Sequence, residues 1–177
     1  MFIPLLILFT GFILNSISAN KIRKKAELLL PNPYKPLPDI VHNYFPKISV
    51  LVPDYFLCFC ICLSMFYYKN LLDMEKNLLC VGLCTIIRSF SVFFTIMPTC
   101  MTKPKKSSNN IYTTFFLSTH DLMFSGHSLF FIAIGNMLNN IIIKICGPFL
   151  LIIARQHYTI DICVSGLVYF FVYCQIT

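Results

Sequence analysis

The chain has 177 residues, of which 57% are hydrophobic, 15% aromatic and only 12% charged, with a mean hydropathy of +0.75 and a formal net charge of +7. A soluble domain of this length carries ~25% charged residues, and too little polar surface remains here to cover one water-facing core. The composition therefore excludes an ordinary soluble domain and points to a bilayer as solvent, and the cations lie just outside apolar runs, at Lys21, Arg23, Lys24, Lys25 and at Lys103, Lys105, Lys106, which suits lipid headgroups and not nucleic acid.

Six apolar stretches follow one another, over 2–18, 48–68, 78–98, 114–138, 141–154 and 158–176. A helix needs ~17–25 apolar residues to cross a hydrocarbon core. Backbone groups inside lipid must be satisfied within the segment, so the expected fold is an all-α polytopic bundle of six transmembrane helices. The first stretch, within residues 1–19, ends in Ser16-Ile17-Ser18-Ala19, which looks like a cleavage site, but it lacks a basic start and reads as a retained span. Residues 20–47 form a basic linker in which Pro31, Pro33, Pro36, Pro38 and Pro46 forbid a continuous helix. Residues 48–177 are expected to form a five-helix membrane core. The fifth of the six stretches, 141–154, is short and contains Lys144, whose ammonium can reach an interface if it sits near a helix end.

The nine cysteines do not compose a metal site. Cys58, Cys60 and Cys62 are closely spaced, but no histidine or second cysteine pair completes a zinc pattern, and they read as small packing or lipid-facing residues.

Polar residues inside such a chain are costly, so their positions are informative. The first connection carries Pro36-Leu37-Pro38-Asp39. The third runs from Pro98 through Asp121 to Ser125-Gly126-His127, and the fifth carries Arg155-Gln156-His157-Tyr158-Thr159-Ile160-Asp161. Odd-numbered connections lie on one membrane face, so these weak motifs can build one site. His157 and Asp161 are four apart at a helix start and share a face, where a carboxylate can fix the tautomer of an attacking imidazole. Gly126 permits close backbone approach before His127. Two imidazoles can divide the work, one attacking phosphorus and the other transferring protons. Arg88, about midway along the third stretch, must face the bundle and meet an anion, either a phosphate or an internal carboxylate such as Asp54 or Asp73. His42 and His120 read as loop residues.

These blocks resemble the signatures of the sphingomyelin synthase family, within the wider lipid-phosphatase-like superfamily. Pro36-Leu37-Pro38-Asp39 is similar to the first. Arg88-Ser89-Phe90-Ser91 with Thr95 and Pro98 is similar to the second. Asp121 through Ser128 is similar to the third and His157-Tyr158-Thr159-Ile160-Asp161 to the fourth. The third block departs from the pattern, with Thr119-His120-Asp121 where Cys-Gly-Asp is usual and Ser128 where Thr is usual. The resemblance implies a triad in which His157 is the nucleophile, Asp161 orients it, and His127 is acid and then base. Arg88, Asp121, Ser125, Gly126 and Tyr158 are the expected substrate-binding residues. It further implies a phosphotransferase without metal or cofactor, moving a phosphorylated headgroup, phosphocholine first, from a glycerophospholipid donor to ceramide and releasing diacylglycerol. Ethanolamine or inositol headgroups, and hydrolysis as in lipid phosphate phosphatases, are the alternatives within the superfamily. A multi-pass protein of the Golgi, endoplasmic reticulum or plasma membrane follows, with its site on the lumenal or exoplasmic face. The basic odd connections would place that face in the cytosol by the positive-inside rule.

Overall fold

The computed structural model describes residues 2–29, 36–67, 70–98, 100 and 124–176. Among these residues there are helices and no strand: α1 (Phe2–Leu29), α2 (Ile40–Tyr44), α3 (Leu51–Tyr67), α4 (Leu71–Phe94), α5 (Gly126–Met137), α6 (Ile141–Ile153) and α7 (Thr159–Ile176). Three of them, over Phe2–Ala26, Leu71–Phe94 and Thr159–Ile176, are long and apolar enough to cross a membrane, while Leu51–Tyr67 and Ile141–Ile153 are shorter apolar helices.

Three helix limits differ from the sequence reading: the described helix of the fourth stretch starts at Gly126, behind the Ser125 cap, and is 12 residues long, and two other helices start or end elsewhere than expected. The first helix does not stop at residue 19 but continues through the basic cluster to Leu29. Nothing in 20–29 breaks a helix, and the first proline, Pro31, lies just beyond. The basic side chains thus decorate a helix end, and Lys21 Nζ sits 4.4 Å above the Phe93 ring. The third apolar stretch begins earlier, at Leu71, because Asn70 accepts from Leu72 N at 3.2 Å and caps a polar first turn. Arg88 therefore lies in the last third of α4, toward the end that carries the third connection. Residues 114–123 of the fourth stretch lie outside the described residues.

α5 occupies the centre. One side of it, with Leu129 and Ala133, packs with Cys80, Val81 and Cys84 of α4 and Tyr169 and Val172 of α7. The other, with Phe131 and Ile134, packs with Leu57 and Cys60 of α3 and Ile143 and Leu151 of α6. Cys58 and Cys62 share the outward face of α3, two positions from buried Cys60, so the three thiols do not converge. The outer faces of α4 and α7 present Phe90, Phe94, Leu167, Phe170 and Phe171, a surface suited to acyl chains and not to water.

Lipid tails are as apolar as the side chains, so association of helices in a bilayer rests on close packing and on hydrogen bonds between them. Both are present. α1 lies along α4 where Gly11 meets Gly82: a Cβ on Gly11 would be 3.0 Å from Gly82 O, and one on Gly82 would be 2.9 Å from Leu8 N. At the end remote from the odd connections, Tyr169 Oη donates to Asn77 Oδ1 at 2.6 Å and accepts from Asn136 Nδ2 at 3.1 Å, joining α4, α7 and α5. Asn139, with φ 47°, takes the left-handed turn that asparagine tolerates, and Asn140 caps α6 through Ile142 N and Ile143 N.

The α1–α4 contact yields a direct test. Gly82→Ala places its methyl against backbone atoms of Leu8 that cannot swing away. It should destabilise the bundle by ~1–3 kcal/mol, read as a lowered unfolding midpoint in detergent, while alanine at the exposed position Ile142 leaves the midpoint in place.

Candidate active site

The ends of six helices meet where the odd connections join. The turn after α6 sets the geometry. Arg155 adopts φ 56°, and Arg155 N and Gln156 N close back on Ile152 O and Leu151 O at 2.8 and 3.0 Å. This reversal delivers His157 and Tyr158 to the start of α7.

His157 and Asp161 come together. His157 Nδ1 lies 3.3 Å from Asp161 Oδ2, and Tyr158 N donates to the same oxygen at 3.0 Å. Asp161 has no solvent exposure and His157 only 7%. A carboxylate so enclosed is tolerable only against donors, so Nδ1 carries the proton and Nε2 is left as the imidazole's lone-pair nitrogen, directed away from the acid.

Ser125 caps α5, its Oγ accepting from Ser128 N at 3.2 Å. Ser165 of α7 locks that cap to the His157–Asp161 pair. Its Oγ accepts from Ser125 N at 2.7 Å and donates its single proton to Asp161 O at 2.6 Å, the nearer of two carbonyls in reach. His127, in the first turn of α5, points its Nε2 toward Asp54 Oδ1 at 3.6 Å. Gln156 Nε2 reaches the same Asp54 oxygen at 3.3 Å and donates to Val50 O at 2.6 Å, so α3 bridges the His127 side to the residue preceding His157.

Arg88 faces the bundle, as its charge requires, and is 4% exposed. It donates through Nε to Phe124 O at 2.5 Å and through Nη1 to Asn15 Oδ1. The guanidinium lies beside Gly126, where a Cβ would stand 3.7 Å from Arg88 Nε, an ordinary contact. The described neighbours alone thus do not demand glycine at 126. Asp121, expected among the substrate-binding residues, lies outside the described residues, as does His120.

Tyr158, expected among the substrate-binding residues, joins three connections. It is buried, and its hydroxyl accepts from Leu37 N at 2.9 Å and donates to Pro98 O at 3.1 Å, tying the first, third and fifth connections together. Burial among these groups, beside the likewise buried Cys100, pushes the Tyr158 phenol above its ordinary pKa. His42 belongs to the short helix α2 and not to a free loop; its Nε2 lies 3.2 Å from His157 O, and since a carbonyl only accepts, Nε2 carries the proton.

Sequence reasoning missed Asp54, Gln156 and Ser165 as parts of this cluster. Asp54 had a legible signal, an acid near the start of an apolar stretch on the site's face; Gln156 and Ser165 had none, since their partners lie 102 and 40 residues away. The chain matches no family model and no curated protein.

Asp39 gives the site a pH dependence. Burial acts against its ionised form, but hydrogen bonds from Thr159 N and Oγ1, the charge of His42 and the His42 amide outweigh it and hold the pKa below the ordinary 3.8. A carboxyl with a lowered folded pKa contributes stability that is complete above its unfolded value and fades as pH falls through the folded one. Wild type should therefore exceed Asp39→Asn in unfolding midpoint at neutral pH, and the gap should close as pH drops below 3.8, measured by thermal melts in detergent across pH.

Proposed function

We propose that the chain is a six-span membrane phosphotransferase of the sphingomyelin synthase type, moving phosphocholine from a glycerophospholipid to ceramide. The observation that carries this reading is the fully enclosed Asp161 carboxylate on His157 Nδ1, in the same cluster of helix ends as His127. An imidazole so oriented is a nucleophile with a built-in counter-charge.

The reaction has two displacements. His157 Nε2 attacks the donor phosphorus, the bond to the diacylglycerol oxygen breaks, and His127 supplies the proton that oxygen takes, releasing diacylglycerol. The phosphocholine then sits on His157. His127 next removes the proton of the ceramide primary hydroxyl, whose oxygen attacks phosphorus, and the P–N bond breaks to restore His157. Asp161 holds the ring and offsets its positive charge during both steps. Arg88, beside Gly126 at the start of α5, supplies a cation where negative charge gathers on the phosphoryl oxygens, and the helix N-terminus adds to it. Both substrates and diacylglycerol arrive and leave through lipid. The family resemblance sets the site on the lumenal or exoplasmic side of the Golgi, endoplasmic reticulum or plasma membrane.

Purified protein given labelled phosphatidylcholine and ceramide should form labelled sphingomyelin and unlabelled diacylglycerol. His127→Ala should cost ~10²–10⁴-fold in rate, Asp161→Asn ~10⁴-fold, and His157→Ala should abolish transfer and the acid-labile phosphohistidine. Release of phosphate without labelled sphingolipid would assign the chain to hydrolysis instead. A protease site placed in the segment 99–110 should be cut only after the lumenal face is opened; cutting from the cytosolic side would reverse the orientation.

A further inference from the structure

The block Pro36-Leu37-Pro38-Asp39 has no part in the reaction above, yet it is bound tightly to the catalytic turn. We propose that Asp39 is a positioning residue for His157, bracing the peptide that links it to Asp161; this rests on the transferase reading for its kinetic consequence only.

The segment 37–42 meets 155–159 through five hydrogen bonds, each from a different donor: Leu37 N to Tyr158 Oη at 2.9 Å, Thr159 N to Asp39 Oδ2 at 2.7 Å, Thr159 Oγ1 to Asp39 Oδ1 at 2.9 Å, His42 Nε2 to His157 O at 3.2 Å and Arg155 Nη2 to His42 O at 3.1 Å. Asp39 is the hub. The same carboxylate caps α2, accepting from Val41 N at 3.0 Å and His42 N at 3.4 Å. It thus serves two helix N-termini at once, its own and, from 120 residues away, that of α7.

The α7 contact falls at a sensitive place. The first amides of a helix have no partner within it. Tyr158 N is taken by Asp161 and Thr159 N by Asp39. These two bonds orient the consecutive amides between the nucleophile and its carboxylate, while His42 holds the His157 carbonyl. The His157–Asp161 distance of 3.3 Å then depends on a carboxylate outside the triad. Asp39 touches neither His157's ring nor a reacting atom in this arrangement, so its effect passes through Thr159.

Asp39→Asn keeps the shape but leaves one acceptor oxygen for two Thr159 donors. In full-length protein in detergent or nanodiscs, it should lower kcat by ~10–100-fold, the range for residues that orient a reactive group from outside, with KM for both lipids unchanged. Thr159→Val should do the same, and the double variant should lose little more than either single, while Thr159→Ser, which keeps Oγ, should retain wild-type kcat. Residue-resolved carbethoxylation by diethyl pyrocarbonate, read by mass spectrometry, separates positioning from general loosening. Asp39→Asn should change the rate at His157 and leave His127 as in wild type. Equal changes at both histidines, or none at His157, would overturn the proposal, as would independent and additive losses from Asp39→Asn and Thr159→Val. If wild type transferred no headgroup, the transferase reading would fall, yet the carbethoxylation comparison would still decide the role of Asp39.

Discussion

An ionised group without access to water must be surrounded by donors, and Asp161 is the point where this molecule meets that demand. Its carboxylate takes Tyr158 N and faces His157 Nδ1, and its backbone carbonyl takes the Ser165 hydroxyl. Each partner is itself held. Ser165 is joined to the cap of α5, and Tyr158 to the first and third connections. The residues around this one buried acid thus also tie four chain segments together. The same requirement that stabilises the acid aligns the imidazole beside it.

The two ends of the bundle solve the polar problem in different ways. At the remote end the groups are neutral, with Asn77, Asn136 and Tyr169 exchanging hydrogen bonds among α4, α5 and α7. At the site the groups are ionisable and belong to connections as well as helices. Neutral pairs fix helix register at modest cost in lipid, whereas ionisable ones add fields that a reaction can use. α5 is held by both, at Ser125 and at Asn136, with an apolar middle of Leu129, Phe131 and Ala133. This places His127 on an element fixed along its length.

What could be read from the sequence was what depends on local spacing. His157 and Asp161 are one helical turn apart, so any helix starting there brings them together, and Arg88 had to turn inward because the alternative was lipid. Apolar runs marked the helices but not their limits: Leu29 and Leu71 are set by the position of Pro31 and by the Asn70 cap, on residues too polar to register as part of a span. Long-range partnerships were not legible. Thr159 and Asp39 are separated by 120 residues and Tyr158 and Pro98 by 60, and no periodicity joins such pairs. Tyr158 illustrates the difficulty, since a tyrosine beside a buried histidine suits a substrate contact and a backbone tie equally well until its hydroxyl's partners are known.

The unequal lengths of the helices bear on how the lipid around them must behave. At 1.5 Å per residue, α1 extends ~42 Å and the outward-facing α6 only ~20 Å, against a hydrocarbon thickness of ~30 Å. On the six-span reading, the leaflets bordering Ile141, Ile142 and Ile145 meet a wall too short for them and must pinch inward, at a cost of a fraction of a kcal/mol per ångström. The C-terminal end of that wall leads directly into Gln156 and His157. The mismatch would therefore depress the membrane surface on the flank nearest the imidazoles, so that polar portions of neighbouring lipids descend toward them without first leaving the bilayer.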